Sequence, residues 1–438
     1  MLAVLLAACG GQQPAAPRQS PQPVGISRIT VDGQDATGTI TSGPRPQVVV
    51  TFVSPMKPST VRVSLAGTAA TGQWAPDGRT LTLAPVSLTP YAPTTLDIAA
   101  GAMTSGGQAL PPGTKLTINP VPVEPANSGN GINPGFKPVA PVMIVVENSG
   151  PARPQTGLQQ ADIVFEYISE YHITRMTAVY FNQVPKLVGP VRSCRMVNAY
   201  LDYAFDGLHM CSGASVGTLH WLFGNGQGAP IAPGTINDFD QGNHFFRSSS
   251  HYAPHDVFTS DDRALRLRTE WNRPAPDYRV DSPHPDSGLG TATDPPAVSM
   301  DTMPGDGITY AYDPAAQVYL RSEGGTAFNM SDTGQLRVKN VVVMSVPCHD
   351  AGWIEDENGG AKSVWYDLLN GGGEADIYSD GKVVHGRWQM GPGSGTPDQY
   401  WKNNRPMYFT DASGAFLELN TGLTWVHMAP TCSVYNST

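Results

Sequence analysis

Charge is scarce in this chain of 438 residues: Asp, Glu, Lys and Arg together make up 15%. Basic residues are the rarer sign, 27 against 37 acidic, for a net charge of -10. A surface that follows a phosphate backbone needs clustered Lys and Arg, so this balance argues against nucleic acid as a partner. Long apolar runs are missing as well. Beyond the first residues no stretch reaches the roughly 18 apolar positions that a membrane-spanning helix needs. The body therefore reads as soluble, and any anchorage has to come from its beginning. Gly (47) and Pro (40) are plentiful instead, the mix of a β-rich, loop-rich secreted protein.

The opening "MLAVLLAACGG" is short and apolar and ends at Leu6-Ala7-Ala8-Cys9. Small residues before a Cys are what a lipoprotein signal peptidase accepts, so residues 1–9 are expected to be a signal with a lipobox and Cys9 the lipidation site. No Lys or Arg precedes the run. Residues 10–23, "GGQQPAAPRQSPQP", read as a flexible tether. The chain is expected to sit outside the cytoplasm, with the membrane as a partner through the lipid anchor. Four cysteines remain, Cys194, Cys211, Cys348 and Cys432. An even count in an oxidising compartment suggests two disulfides, of three connectivities, and buried free thiols are the alternative. Spacing favours Cys194 with Cys211 and Cys348 with Cys432, each pair inside one candidate domain.

Composition divides the rest into three pieces, an expected multidomain, β-rich fold. Residues 24–120 alternate apolar and polar positions in short runs such as "PQVVVTFV" and "RTLTLAP", with a turn at Pro76-Asp77-Gly78; this reads as a β-sandwich. The stretch from "VVVTFVSPMKPS" to "APDGRTLTLAP" resembles bacterial Ig-like modules, which implies a spacer. After the linker "NPVPVEPANSGNGINPGFKP", residues 138–280 mix strands ("PVMIVVEN", "ADIVFEYISE", "RMTAVYFNQ") with helical spacing at Val197, Leu201 and Phe205 and in "SDDRALRLRTEW". An α/β mixed sheet is expected there. A second linker precedes residues 307–432, a mainly β domain with a hairpin predicted at Asp380-Gly381. A turn at Pro190 and a helix from about Ser193 to Phe205, capped by Ser193, should lead into a strand at Leu208–Ser212.

Four ordered segments, "ARPQTGLQQADIVFEY", "ITRMTAVYF", "VGPVRSCR" and "SHYAPHDVFTS", resemble the N-terminal domain of the YerB family of bacterial lipoproteins. The last piece resembles that family's C-terminal domain, in "TGQLRVKNVVVMSV", "GKVVHGRWQMGPGSGTPDQYW" and "LELNTGLTWVHMAP". The resemblance implies a cell-envelope lipoprotein and names no reaction.

Polar groups crowd these segments: Arg153, Gln155, Asp162, Glu166, Arg175, Arg192, Ser193, Arg195, His209, Ser215, His255 and Asp256. Asp162 and Glu166 share one face of a strand, and buried carboxylates there need partners that Arg175, Arg192 or Arg195 could supply. One reading is an ion-pair network that fixes the domain. The other is a cleft where arginines grip an anionic ligand and a carboxylate or His moves a proton. No Gly-x-Ser-x-Gly frame surrounds Ser193 or Ser215. His251 and His255 have a metal-like spacing, but Pro254 between them favours a loop, so no metal or cofactor is expected. "GPGSGTPD" and "GNGQG" read as turns. Trp353, Trp365, Trp388, Trp401 and Trp425 suit either a β core or contact with sugars. The preferred function is a noncatalytic binding or scaffold protein engaging an envelope polymer or an envelope protein partner. The alternative is a hydrolase or transferase on envelope glycan or peptide, using Glu166 or Asp162 with His209 or His255.

Overall fold

A computed structural model describes residues 24–111, 113–125, 127, 139–181, 183–222, 236–237, 242–272, 278–281, 299–301, 307–368, 371–390 and 407–434. Cys9, the tether, Trp401, "GNGQG" and "GPGSGTPD" lie outside the described residues. The chain is multidomain and β-rich and divides into two compact units.

The first unit, which ends near Ile118, holds two five-stranded sheets. Its strands bury alternate positions, as in Val48–Phe52 and Thr94–Ile98, which leaves each sheet one apolar face for a shared core. Val50, Phe52, Leu96, Ile98 and Ile118 are at most 1% exposed. The Pro76-Asp77-Gly78 turn joins two strands as its residues predict. Asp77 Oδ1 accepts the Arg79 N–H at 2.8 Å, and Gly78 takes the positive φ (64°) that a side chain would resist.

The second unit is organised by one ten-stranded sheet. From its first half come β1 (Val142–Glu147), β2 (Ile163–Glu170), β3 (Ile173–Tyr180), β4 (Leu208–Cys211) and β5 (Ile236–Asn237). Helices α1 (Met196–Phe205), α2 (Val216–Leu222) and α3 (Asp261–Trp271) are the three among the described residues. A smaller sheet carries β6 (Ile308–Asp313) and β7 (Val318–Glu323). The large sheet is completed by β8 (Asn340–Val346), β9 (Gly372–Ser379), β10 (Lys382–Met390), β11 (Met407–Asp411) and β12 (Thr424–Pro430). The strand order is β5-β4-β1-β3-β2-β12-β8-β9-β10-β11.

Two pieces expected as separate domains therefore share one sheet. The seam is β12, the last strand, which pairs in parallel with β2 on one side and β8 on the other. It is buried on both faces; Trp425, Val426, His427 and Met428 are at most 1% exposed. Asp380 and Gly381, with φ of 50° and 73°, make the predicted two-residue turn between β9 and β10. Val123–Pro125, inside the expected first linker, pairs in parallel with Arg279–Asp281.

Both cysteine pairings favoured by spacing are present, with Cα–Cα distances of 5.3 Å for Cys194–Cys211 and 5.5 Å for Cys348–Cys432. The helix after Pro190 starts later than expected. Residues before it are extended, because Arg192 N–H bonds Val145 O at 3.0 Å and Cys194 N–H bonds Gly213 O at 2.8 Å. The cap is correspondingly not Ser193. Arg195 occupies the N-cap position, and its N–H donates to Asn198 Oδ1 at 2.5 Å.

Candidate functional site at the carboxyl edge of the sheet

Strands β1, β2, β4, β5, β8 and β12 run the same way, so their carboxyl ends lie along one edge. In open sheets of this kind that edge is where ligands settle. Three of the quoted sequence segments converge on it. Residues 188–191 bond Thr156 and Glu147 through Gly189 and Pro190, and bond Thr259 and Val257 through Val188 and Val191. Gly189 is required there, since a Cβ would stand 2.7 Å from the Phe258 ring. Both disulfides close the same edge: Cys211 ends β4, and Cys348 and Cys432 each follow the neighbouring strands β8 and β12 by two residues.

Alternation along the strands separates the charged residues onto two faces. On one face Glu166, fully buried, is the centre. Its partner is Arg321 from β7, which grips both carboxylate oxygens, the Nη2–Oε1 contact being 3.0 Å. Arg175, Arg192 and Arg195, the expected partners, lie elsewhere. Glu166 also accepts from Thr174 Oγ1 and Trp425 Nε1, both at 2.7 Å. Arg321, itself 0% exposed, lies between Phe328 and Trp425 at 4.3 and 4.7 Å from the ring centroids. It also bonds Glu323 at 2.9 Å, and Glu323 in turn pairs with Arg153. Burial alone would raise the Glu166 pKa, but the Arg321 charge and hydrogen bonds bring it down to about 2.

The other face carries a second chain of ion pairs. Glu147 pairs with Arg192 (3.4 Å), accepts from Ser149 Oγ (2.8 Å) and meets His255 Nδ1 at 2.9 Å. Glu170 pairs with Arg175 at 3.0 Å and Arg195 at 2.5 Å, and Arg195 reaches Glu355 at 3.2 Å. Glu170 lies four residues from Glu166, a spacing that keeps a regular strand on one face. A bulge between Ile168 and Glu170 turns it over, and the sequence pattern gives no sign of it. Burial would raise the Glu170 pKa, yet Arg195 and then Arg175 lower it to about 2. Glu147 is lowered as well: burial opposes the shift, and Arg175 and Arg192 outweigh it.

The remaining candidates are dispersed. Asp162 accepts the backbone N–H groups of Phe181 and Asn127, each at 2.8 Å, rather than joining Glu166. His209 is 0% exposed with neither ring nitrogen hydrogen-bonded among the described residues, and burial drives its pKa to about 3. It stands three strand spacings from β2, on the order of 14 Å, so the expected Glu166–His209 pairing is not formed. His255 meets Glu147 instead of Glu166 or Asp162. Asp256 pairs with Arg247 at 2.6 Å. Ser193 is half-buried, and Ser215 Oγ accepts the Thr218 N–H at 3.2 Å. His251 meets Ser250 Oγ at 2.9 Å, away from the His255–Glu147 contact. Among the described residues no three His, Cys, Asp or Glu are placed to hold a metal. Trp388 and Trp425 are core residues at 0% exposure.

Residues 129–271 match the N-terminal domain of a protein family of unknown function, DUF3048, and residues 298–426 match its C-terminal domain. Together they span more than half of the chain. The chain belongs to this YerB-like family. It is 29% identical over 299 residues to YerB of Bacillus subtilis (strain 168), a protein provisionally named a lipoprotein, covering 66% of this chain and 81% of that one. The crystal structure of B. subtilis YerB superposes with a TM-score of 0.52 at 26% identity, over 67% of this chain and 91% of that one. CopC from Methylosinus trichosporium OB3b aligns with a TM-score of only 0.18 and 19% identity over 22% of this chain and 95% of CopC, a likeness that carries no argument.

Breaking the central pair should unfold the shared sheet. Glu166→Ala removes the bidentate partner of the buried Arg321 guanidinium, leaving it only Glu323, which Arg153 shares, and is expected to cost about 3–5 kcal/mol in chemical denaturation. Acid should act in two stages. Burial lowers the pKa of His209 and His427 in the folded chain to about 3, from the ordinary 6.5 of an exposed imidazole. The unfolded chain therefore takes up protons first, and stability should begin to fall below about pH 6.5. Glu166 and Glu170, at about 2 against 4.5, add a steeper loss between those values. A melting temperature that is flat from pH 7 to 3 would contradict this, and His209→Leu should remove part of the first stage.

Proposed function

We propose that this YerB-like protein is a membrane-tethered lipoprotein outside the cytoplasm. On this reading it works without catalysis, binding an envelope polymer or an envelope protein partner. The tether reading rests on Cys9 after Leu6-Ala7-Ala8, on the Pro- and Gln-rich stretch that follows, and on the lipoprotein name of the relative.

One observation carries the noncatalytic reading: the carboxylates at the candidate site are held ionised by arginines. With pKa values near 2, Glu166 and Glu170 carry no proton to donate at neutral pH. Ser215 Oγ is engaged by the Thr218 N–H at the start of α2, and no base is paired with Ser193, which is half-buried, among the described residues. The more accessible side chains lie at the rim of the same edge. Tyr252 is 65% exposed, and the Arg247 side chain is 58% exposed. A rim of this kind on a rigid, disulfide-closed base suits docking of a partner surface.

The hydrolase or transferase reading is favoured by a single contact, the Glu147 carboxylate against His255 Nδ1, which would orient an imidazole as a base. Incubating the purified protein with cell-wall fragments tests both readings. Sedimentation with the fragments and no new product by mass spectrometry is the expected result; products that vanish in His255→Gln would establish the enzyme. Cys9→Ala should move the protein from the membrane to the soluble fraction of cells, and unchanged partitioning would remove the lipid anchor.

A further inference from the structure

A cavity of about 360 Å³ opens beside the buried Glu166–Arg321 pair, its lining made by Arg153 and Pro154 and by Glu323 with residues 326–329. It is near the lower end of the roughly 300–1,000 Å³ typical of small-ligand sites, too small for a polymer chain to thread. Its walls are mostly apolar. Its polar content is concentrated in one pair of opposite charges.

The hydrogen-bond capacity of that pair is not exhausted. Arg153 uses only Nη2, which donates to Glu323 and, at 2.9 Å, to Asn148 O. Among the described residues Nε has no partner, and no hydrogen bond engages Nη1. A guanidinium has five N–H donors, so part of its fork is unspent. Glu323 accepts from Arg153 through one oxygen, and from Arg321 (2.9 Å) and Asn148 (3.3 Å) through the other. A carboxylate has about four acceptor positions, which leaves one. The Arg153 side chain is 33% exposed and that of Glu323 is 14% exposed; Nε of Arg153 is buried, so Nη1 is the donor that faces the opening.

The charges around the cavity balance: Arg153 and Arg321 face Glu323 and Glu166. A lone anion brought to Arg153 would also meet Glu323, and a lone cation brought to Glu323 would meet both arginines. A ligand with both charges a few ångströms apart meets neither penalty. Its carboxylate takes the two N–H groups of Arg153 Nη1 and its ammonium the spare acceptor of Glu323, while its apolar side chain lies against Pro154, Ala327 and Phe328. We infer that this cavity is a binding site for a zwitterionic amino acid or dipeptide with an apolar side chain. It shares none of the rim residues Tyr252, Arg247 and His255, and it stands whether or not that rim docks a partner.

Isothermal titration of the intact protein with L-leucine and L-alanyl-L-leucine tests the site. Saturable binding is expected for at least one of them. N-acetyl-L-leucine and L-leucinamide, each missing one charge, should bind at least tenfold more weakly. Ala327 is exposed, and Ala327→Trp should fill the cavity and abolish binding while leaving the melting temperature unchanged. No saturable heat from either zwitterion at millimolar concentration would overturn the inference. So would equal affinity for a blocked analogue, or full binding in a folded Ala327→Trp variant.

Discussion

The fold depends on an ion pair that water does not reach. Glu166 and Arg321 are both 0% exposed, and moving two such charges out of solvent costs several kcal/mol each before any contact is made. The cost is offset only when each polar atom finds a partner with good geometry. Those partners come from distant parts of the chain: Thr174 on β3, Arg321 on β7 and Trp425 on β12. No half of the second unit can assemble this environment alone. The pair therefore makes folding of the two halves a joint event.

It also fixes register. Glu166 lies opposite His427 in the β2–β12 ladder, with Trp425 two residues before on the same face. A one-residue slip would carry Glu166 to the arginine face and strip Arg321 of its bidentate partner. Parallel strands with near-continuous apolar sequences, such as β8 and β12, have little else to choose one register over another. The Cys348–Cys432 bridge acts beside this, holding together the ends of two strands whose ladder finishes at Val346 and Pro430.

Much of the local architecture was legible because it is written in local chemistry. Asp380-Gly381 specifies its turn, and the cysteine spacing points to both pairings. The site was legible as a list of polar residues and illegible as a geometry. Asp162 and Glu166 share a parity, yet Asp162 accepts backbone groups at the end of β3. Arg321 stands in "YLRSE", where alternation makes it look like a solvent-facing residue of an ordinary strand. Nothing in that pattern shows that Trp425 and Phe328 close over it. Ser193 has good capping chemistry, but the backbone at 192–194 is committed to β1 and Gly213, and tertiary pairing overrides the local preference.

The burial of these charges bears on where function can reside. Glu166, Arg175, Arg195, Glu170 and Glu355 are all at most 8% exposed, and each is tied to another member of its network. A ligand could engage them only by breaking a pair whose surviving partner would then be buried and charged. The same chemistry at the boundary behaves differently. Arg153, Arg192, His255 and Arg247 each hold one acidic partner while keeping part of the side chain in solvent. Interior charges thus hold these boundary groups in place, and it is at the boundary that a new hydrogen bond can be added without losing an old one.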